Sequence, residues 1–132
     1  AAKEDSRYML NGVRIRIADQ KSTFIGTDGK RLAKSMTSVS VDPSVQGAYV
    51  VPLKAVDEMI KMLDDSDNEA TLLLAGDKIS LESGSLTLVS KLLAGQYPDV
   101  ERVIPSKLNY QFAIHREELM ALLRQISLFT SE

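Results

Sequence analysis

The chain has 132 residues, 44% of them apolar and 26% charged, and one formal net charge of −2 from 16 basic and 18 acidic side chains. That is enough for a single core, too few for two complete domains, and too evenly charged for a general basic field that would draw in nucleic acid. The absence of cysteine excludes disulfides, thiolate metal sites and cysteine nucleophiles, a single histidine excludes an all-histidine metal site, and no apolar run reaches the ~20 residues of a membrane span.

The N-terminus, AAKEDSRYML, lacks the basic and apolar regions of a signal peptide, which leads us to expect an intracellular protein. Over residues 7–17, Val13, Ile15 and Ile17 alternate with Arg14 and Arg16, a half-buried strand pattern. Tyr8 and Leu10 fall on the opposite parity, so a bulge at Asn11-Gly12 is expected to bring both sets onto the core. Residues 22–27 and 31–41 flank Asp28-Gly29, a strong hairpin signal because both central residues of the favoured turn need positive φ.

Val51-Pro52-Leu53 predicts the start of a helix with Pro52 at its first position and an apolar face of Leu53, Val56, Met59, Ile60 and Leu63, ending in the acidic run 64–68. Runs 71–75, 78–83 and 86–93, separated by Gly76-Asp77 and Gly84-Ser85, predict a three-stranded meander. Residues 97–105, bracketed by prolines, predict an extended edge connection. The last segment predicts a strand over 110–114 and a helix over 116–129, with Leu119, Leu122, Leu123 and Ile126 on its apolar face. With no further element to pack on, this ending points to a fragment of something longer.

GTDGKR (26–31) has the look of a phosphate loop, but the spacing between Gly26 and Gly29 is too short, Arg31 stands where a hydroxyl is needed, and a strand follows. We read it as a hairpin turn. No catalytic residue stands out: His115 has no serine or cysteine partner and reads as a capping or solvated residue, and the acidic run reads as a solvated helix end. Lys54 and Lys61 share a helix face, as Arg116 and Arg124 nearly do, but Asp57, Glu58, Glu117 and Glu118 lie among them, so the residues alone favour a solvated face.

LNG (10–12), TDGKRLA (27–33), VVPLKAV…MLD (50–64) and SKLLAGQYPDVERVIP (90–105), in this order and at these intervals, closely resemble the bacterial sliding clamp, the beta subunit of the replicative DNA polymerase III. The resemblance implies an α+β fold, an antiparallel sheet with two helices on one face. Residues 1–105 would be most of the clamp's middle domain, lacking its first strand and helix, and 106–132 the opening strand and helix of its third domain. It further implies that residues 110–129 could dock in the vacant place, within the chain or between two chains.

On this resemblance the full-length protein is a processivity factor, not an enzyme and without cofactor or metal. It closes as a homodimeric ring around duplex DNA in the bacterial cytoplasm, associated with the nucleoid during replication. A hydrophobic pocket docks short peptide motifs of the polymerase alpha subunit, the clamp loader, and translesion and repair proteins. The matching pocket residues are Leu10, Thr27, Gly29, Lys30, Arg31, Leu32, Pro98, Arg102 and Val103. Histidine stands in many members where this chain has Lys30. The DNA-facing candidates are Lys54, Lys61, Arg116 and Arg124. The reading open beside this one is a stand-alone α+β domain that binds another peptide or a small ligand, without a DNA role.

Overall fold

A computed structural model describes residues 8–63 and 69–130. It divides into two compact units, Ala1–Pro98 and Asp99–Glu132. The acidic run at 64–68, expected to end the helix, and the expected strand start at Arg7 lie outside the described residues.

The first unit opens with a 3-10 turn, Tyr8–Asn11, in place of the expected bulge. A turn solves the same parity problem differently: it rolls Met9 and Leu10 into buried positions and hands the chain to β1, Gly12–Ala18, at the first residue that can continue as strand. β2 (Lys21–Thr27) and β3 (Leu32–Ser38) follow, then β4 (Gly47–Pro52), giving a sheet of order β3-β2-β1-β4 with antiparallel neighbours. β1 and β2 join through a two-residue turn with Ala18 opposite Lys21. Its central residues, Asp19 (φ 53°) and Gln20 (φ 59°), are the non-glycine residues at positive φ among those described. The primed turn expected at Asp28-Gly29 is therefore found at Asp19-Gln20, where the Gln20 side-chain amide bonds both backbone groups of Val41.

The second sheet is the meander β5 (Thr71–Ala75), β6 (Lys78–Ser83) and β7 (Leu86–Lys91), closed by Gly76 and Gly84 at positive φ. It follows the expected runs closely. Leu92 and Leu93 leave the ladder: Leu92 N–H donates to the Asp77 carbonyl at 2.7 Å and Leu93 N–H to the Val50 carbonyl at 2.9 Å, which ties the end of the meander to β4.

α1, Leu53–Met62, follows β4 and packs with residues of both sheets. Pro52 is the last strand residue and the residue before the helix (φ −57°, ψ 143°), one position earlier in role than expected. Ile15, Ile17 and Val51 from the first sheet, Ala55 and Met59 from α1, and Ile79 and Leu81 from β6 form the core. Full burial of such side chains stabilises by roughly 1.5–3 kcal/mol each. The buried face of α1 is rotated from the expected one: Met59 is buried and Val56 packs on the core as expected, Ala55 joins them, and Ile60 is 64% exposed. Ile60 and Leu63 instead line an apolar groove of about 290 Å³ with Val13, Phe24 and Leu72.

The outer face of the first sheet is covered as well. Side chains alternate along a strand, so Ile25 and Val50, opposite Arg14, point away from α1, yet they are 2% and 6% exposed. Their cover runs close to Gly12, where an added Cβ would stand 2.6 Å from the Val51 carbonyl oxygen, 2.8 Å from Val50 Cγ1 and 3.1 Å from Leu93 Cδ1.

Residues 97–105, which pass from the first unit into the second, do not run extended throughout. Val100–Val103 form a 3-10 turn, with Ile104 N–H donating to the Glu101 carbonyl at 3.2 Å and Arg102 paired to Asp99 at 2.8 Å. Residues 110–114 carry no ladder, because an extended pattern becomes a strand only where a neighbour supplies hydrogen bonds. α2, Arg116–Ser127, forms as expected though it ends two residues sooner, and it buries none of its side chains. His115 precedes it without capping it.

Replacing Gly12 by alanine should destabilise the fold by about 1–3 kcal/mol, since the clash is with a backbone oxygen that cannot swing away. Denaturant unfolding of Gly12→Ala beside the parent chain checks this, and an unchanged midpoint would contradict the close approach.

Candidate functional site

The β2–β3 connection holds five of the nine expected pocket residues, and its shape is set by two side chains. Thr27 Oγ1 accepts from Gly29 N–H at 3.1 Å and donates to the Arg31 carbonyl at 2.8 Å. Asp28 Oδ1 accepts from the N–H groups of Lys30 and Arg31, both at 3.0 Å, and its Oδ2 accepts from Arg31 Nε at 2.8 Å. Gly29 supplies positive φ (87°), and the loop spans four residues, with Thr27 opposite Leu32. An Asp whose carboxylate turns back onto the following N–H groups is a known turn former, so this lock was readable at Asp28, which the expected pocket left out.

These bonds stabilise the ionised carboxylate. The Arg31 side chain first, then the Lys30 and Arg31 N–H groups, hold the Asp28 carboxyl well below its ordinary value of 3.8.

Strand register places the expected residues. Ile25 is opposite Lys34 and Thr27 opposite Leu32, so Thr27 and Leu32 share the outer face with Ile25, at the end of the sheet where β1 begins. Thr27 is 5% exposed and its hydroxyl is used within the loop, and Leu10 is 2% exposed. Both therefore support the surface from beneath. The exposed members are Gly29, Lys30, Arg31 and Pro98, with Leu32 half-buried. Arg102 and Val103 are exposed too, on the 3-10 turn of the second unit. There Arg102 Nε binds Asp99 Oδ2 at 2.8 Å, the same contact across three residues that Arg31 makes with Asp28.

Of the expected DNA-facing residues, Lys54 and Lys61 are exposed on α1, and Lys61 Nζ donates to Glu58 Oε1 at 2.8 Å. That contact raises the lysine pKa and lowers that of the glutamate. On α2, Arg116 reaches Glu117 at 3.5 Å and Met120 Sδ at 3.3 Å, and Arg124 is exposed. Each cation thus stands on an exposed helix surface, two of them already paired along the helix.

A family model described as the central domain of the DNA polymerase III beta subunit matches residues 1–99. The chain belongs to the beta sliding clamp family. It is 48% identical over 131 residues to the beta sliding clamp of Chlamydia pneumoniae, covering 99% of this chain and 36% of that protein. To the Escherichia coli beta sliding clamp it is 34% identical over 105 residues, 79% of this chain and 28% of that one. The sliding clamp of Bacillus subtilis superposes with a TM-score of 0.90 over 100% of this chain and 35% of that one, a likeness of fold at 23% identity. A Pseudomonas aeruginosa clamp bound to griselimycin gives a TM-score of 0.76 at 31% identity over 82% of this chain and 29% of that one. The chain thus spans about a third of the length of these clamps, and the α+β class expected from the resemblance holds, with the strands divided between two sheets.

Because the folded-state pKa of Asp28 is depressed, its contribution to the hairpin is complete above the ordinary value of 3.8 and is lost only as pH falls through the lower folded-state value. The Asp28 carboxyl ¹³C shift should stay that of an ionised group from neutrality down to about pH 3. In Arg31→Gln its titration should move up toward the ordinary carboxylate range. A wild-type titration at the ordinary value would contradict the lock.

Proposed function

We propose that this chain is the peptide-docking part of a DNA polymerase processivity clamp, residues 1–105 forming most of a middle domain and 106–132 opening the next. The observation that carries the reading is the match of residues 1–99 to the central domain of the polymerase III beta subunit. The open apolar groove beside Ile60 and Leu63 supports the view that the domain is completed by a further apolar helix.

In this reading the ligand is a short linear peptide carried by the replicative polymerase alpha subunit, the clamp loader, or a translesion or repair protein. On the first unit Gly29, Lys30, Arg31, Leu32 and Pro98 would meet it, underpinned by Leu10 and Thr27, and the family likeness adds Arg102 and Val103. The chemistry suits such a ligand. Leu32, Pro98 and Val103 offer apolar surface to a ligand side chain, and Arg31 and Arg102 offer guanidinium groups to its carbonyls or carboxylates. That a Pseudomonas aeruginosa relative is found bound to griselimycin fits a family whose members hold ligands.

The full-length protein would close as a homodimeric ring around duplex DNA in the cytoplasm, at the nucleoid during replication. Lys54, Lys61, Arg116 and Arg124 would face phosphates across a water layer, without catalysis and without a cofactor. Topological closure asks little of charge, so the net charge of −2 is compatible with this role.

An amide chemical-shift titration with a glutamine-leucine clamp-binding peptide and its scrambled control tests the pocket. Selective shifts at Thr27, Gly29, Arg31 and Leu32, and at Arg102 and Val103 beside Pro98, are the expected result. Equal response to both peptides would favour a stand-alone binding domain. In a gel-shift titration the chain alone should show negligible affinity for duplex DNA at physiological salt, and tight, salt-insensitive binding would overturn the topological reading.

A further inference from the structure

Residues 93, 95 and 97 alternate along the chain that covers the outer face of the first sheet, and each is tied down differently. Leu93 bonds the β4 backbone at the Val50 carbonyl. Gly95 (φ 132°) lies so close to Met9 that an added Cβ would stand 3.2 Å from its Sδ. The Tyr97 ring takes the guanidinium of Arg14, with Arg14 Cζ 5.9 Å from the ring centroid. Arg14 itself is held in a cross-strand row between Ile25 and Val50.

What fastens Tyr97 is its ring. Its hydroxyl oxygen is buried and has no hydrogen-bond partner among the described residues, and this burial raises the phenol's pKa above the ordinary tyrosine value, against the opposing pull of the Arg14 charge. A hydroxyl in that position adds nothing to the attachment. A planar ring against a cation is a directional contact, which an aliphatic side chain of similar bulk does not reproduce.

We propose that Arg14 and Tyr97 are a positioning pair for peptide docking: their stack fixes the end of this strap, and so the place at which Pro98 leaves the outer face to form its part of the pocket. The proposal rests on the peptide-docking reading above. Neither residue needs to touch the peptide. Both act through Pro98, and the pair is absent from the residues that the family resemblance pointed to.

The test is fluorescence polarisation of a labelled glutamine-leucine clamp-binding peptide with the 132-residue chain. Tyr97→Leu should weaken binding about fivefold, while Tyr97→Phe, which keeps the ring and discards only the unpartnered hydroxyl, should stay within about twofold of the parent. Arg14→Gln should weaken binding in the same direction as Tyr97→Leu. The amide shifts of Ile15 and Met59 on the inner face should stay as in the parent, which a general loss of structure would not allow.

Parent-like binding by both Tyr97→Leu and Arg14→Gln overturns the proposal, and so does a loss in Tyr97→Phe equal to that in Tyr97→Leu. Inner-face shifts that move together with affinity overturn it too, since the role is then structural only. If Tyr97→Leu does not fold, Arg14→Gln beside Tyr97→Phe decides. A parent chain that fails to prefer the motif over its scrambled control removes the peptide-docking reading itself, an outcome distinct from a selective parent with indifferent variants.

Discussion

The first sheet must be covered on both faces. Ile15, Ile17 and Val51 on one side and Ile25 and Val50 on the other are all apolar, and neither set can be left in water without forfeiting roughly 25 cal/mol for every Å² of apolar surface. α1 and the second sheet cover the inner set. The 3-10 turn at Tyr8–Asn11 and the strap after β7 lie on the other side, and Gly12 is where the chain passes close enough that no side chain fits. A half-buried sheet would need only one such cover, and its solvent face would be free for charge.

In the proposed docking role, that second cover supplies part of the surface. It brings the end of the meander back across the sheet, so that Tyr97 and Pro98, far along the chain from the β2–β3 hairpin, belong to the same unit and the same face. The hairpin contributes geometry more than energy. Its ion pair is exposed at Arg31, where such a contact adds little, but the bonds of Asp28 and Thr27 to the following backbone groups fix the loop's path. A rigid loop beside a pinned strap is what a site for an extended peptide needs, because order already present in the protein is not charged against binding.

Much of this is legible in the sequence. Gly76 and Gly84 bounded the meander because a glycine at positive φ announces a tight turn, and the hairpin at 28–31 was evident from Asp-Gly. The pocket residues themselves came from likeness to a family, since nothing in periodicity distinguishes Leu32 as a ligand contact from Leu32 as core. Other features were not legible. The tightest turn, at Asp19-Gln20, uses two residues that seldom announce positive φ, and it is held by a side-chain bond to Val41, twenty-one residues away from Gln20. The exact face of α1 is not legible either, because Ala55, which is buried, counts little in a hydrophobic pattern.

The sequence by itself determined what is local: which residues can turn, which alternate, where proline must interrupt a ladder, and how Asp28 folds its own loop. Tertiary structure decided whatever depends on a neighbour. Residues 110–114 have strand composition and no strand, because a neighbouring strand's hydrogen bonds are absent among the described residues, whereas Val50 and Ile25, on the sheet face that carries Arg14 and Arg16, are buried because a distant segment crosses above them. The physical reason is the same in both cases. Backbone pairing and burial are properties of two segments together, and a single segment's pattern states only its readiness for them.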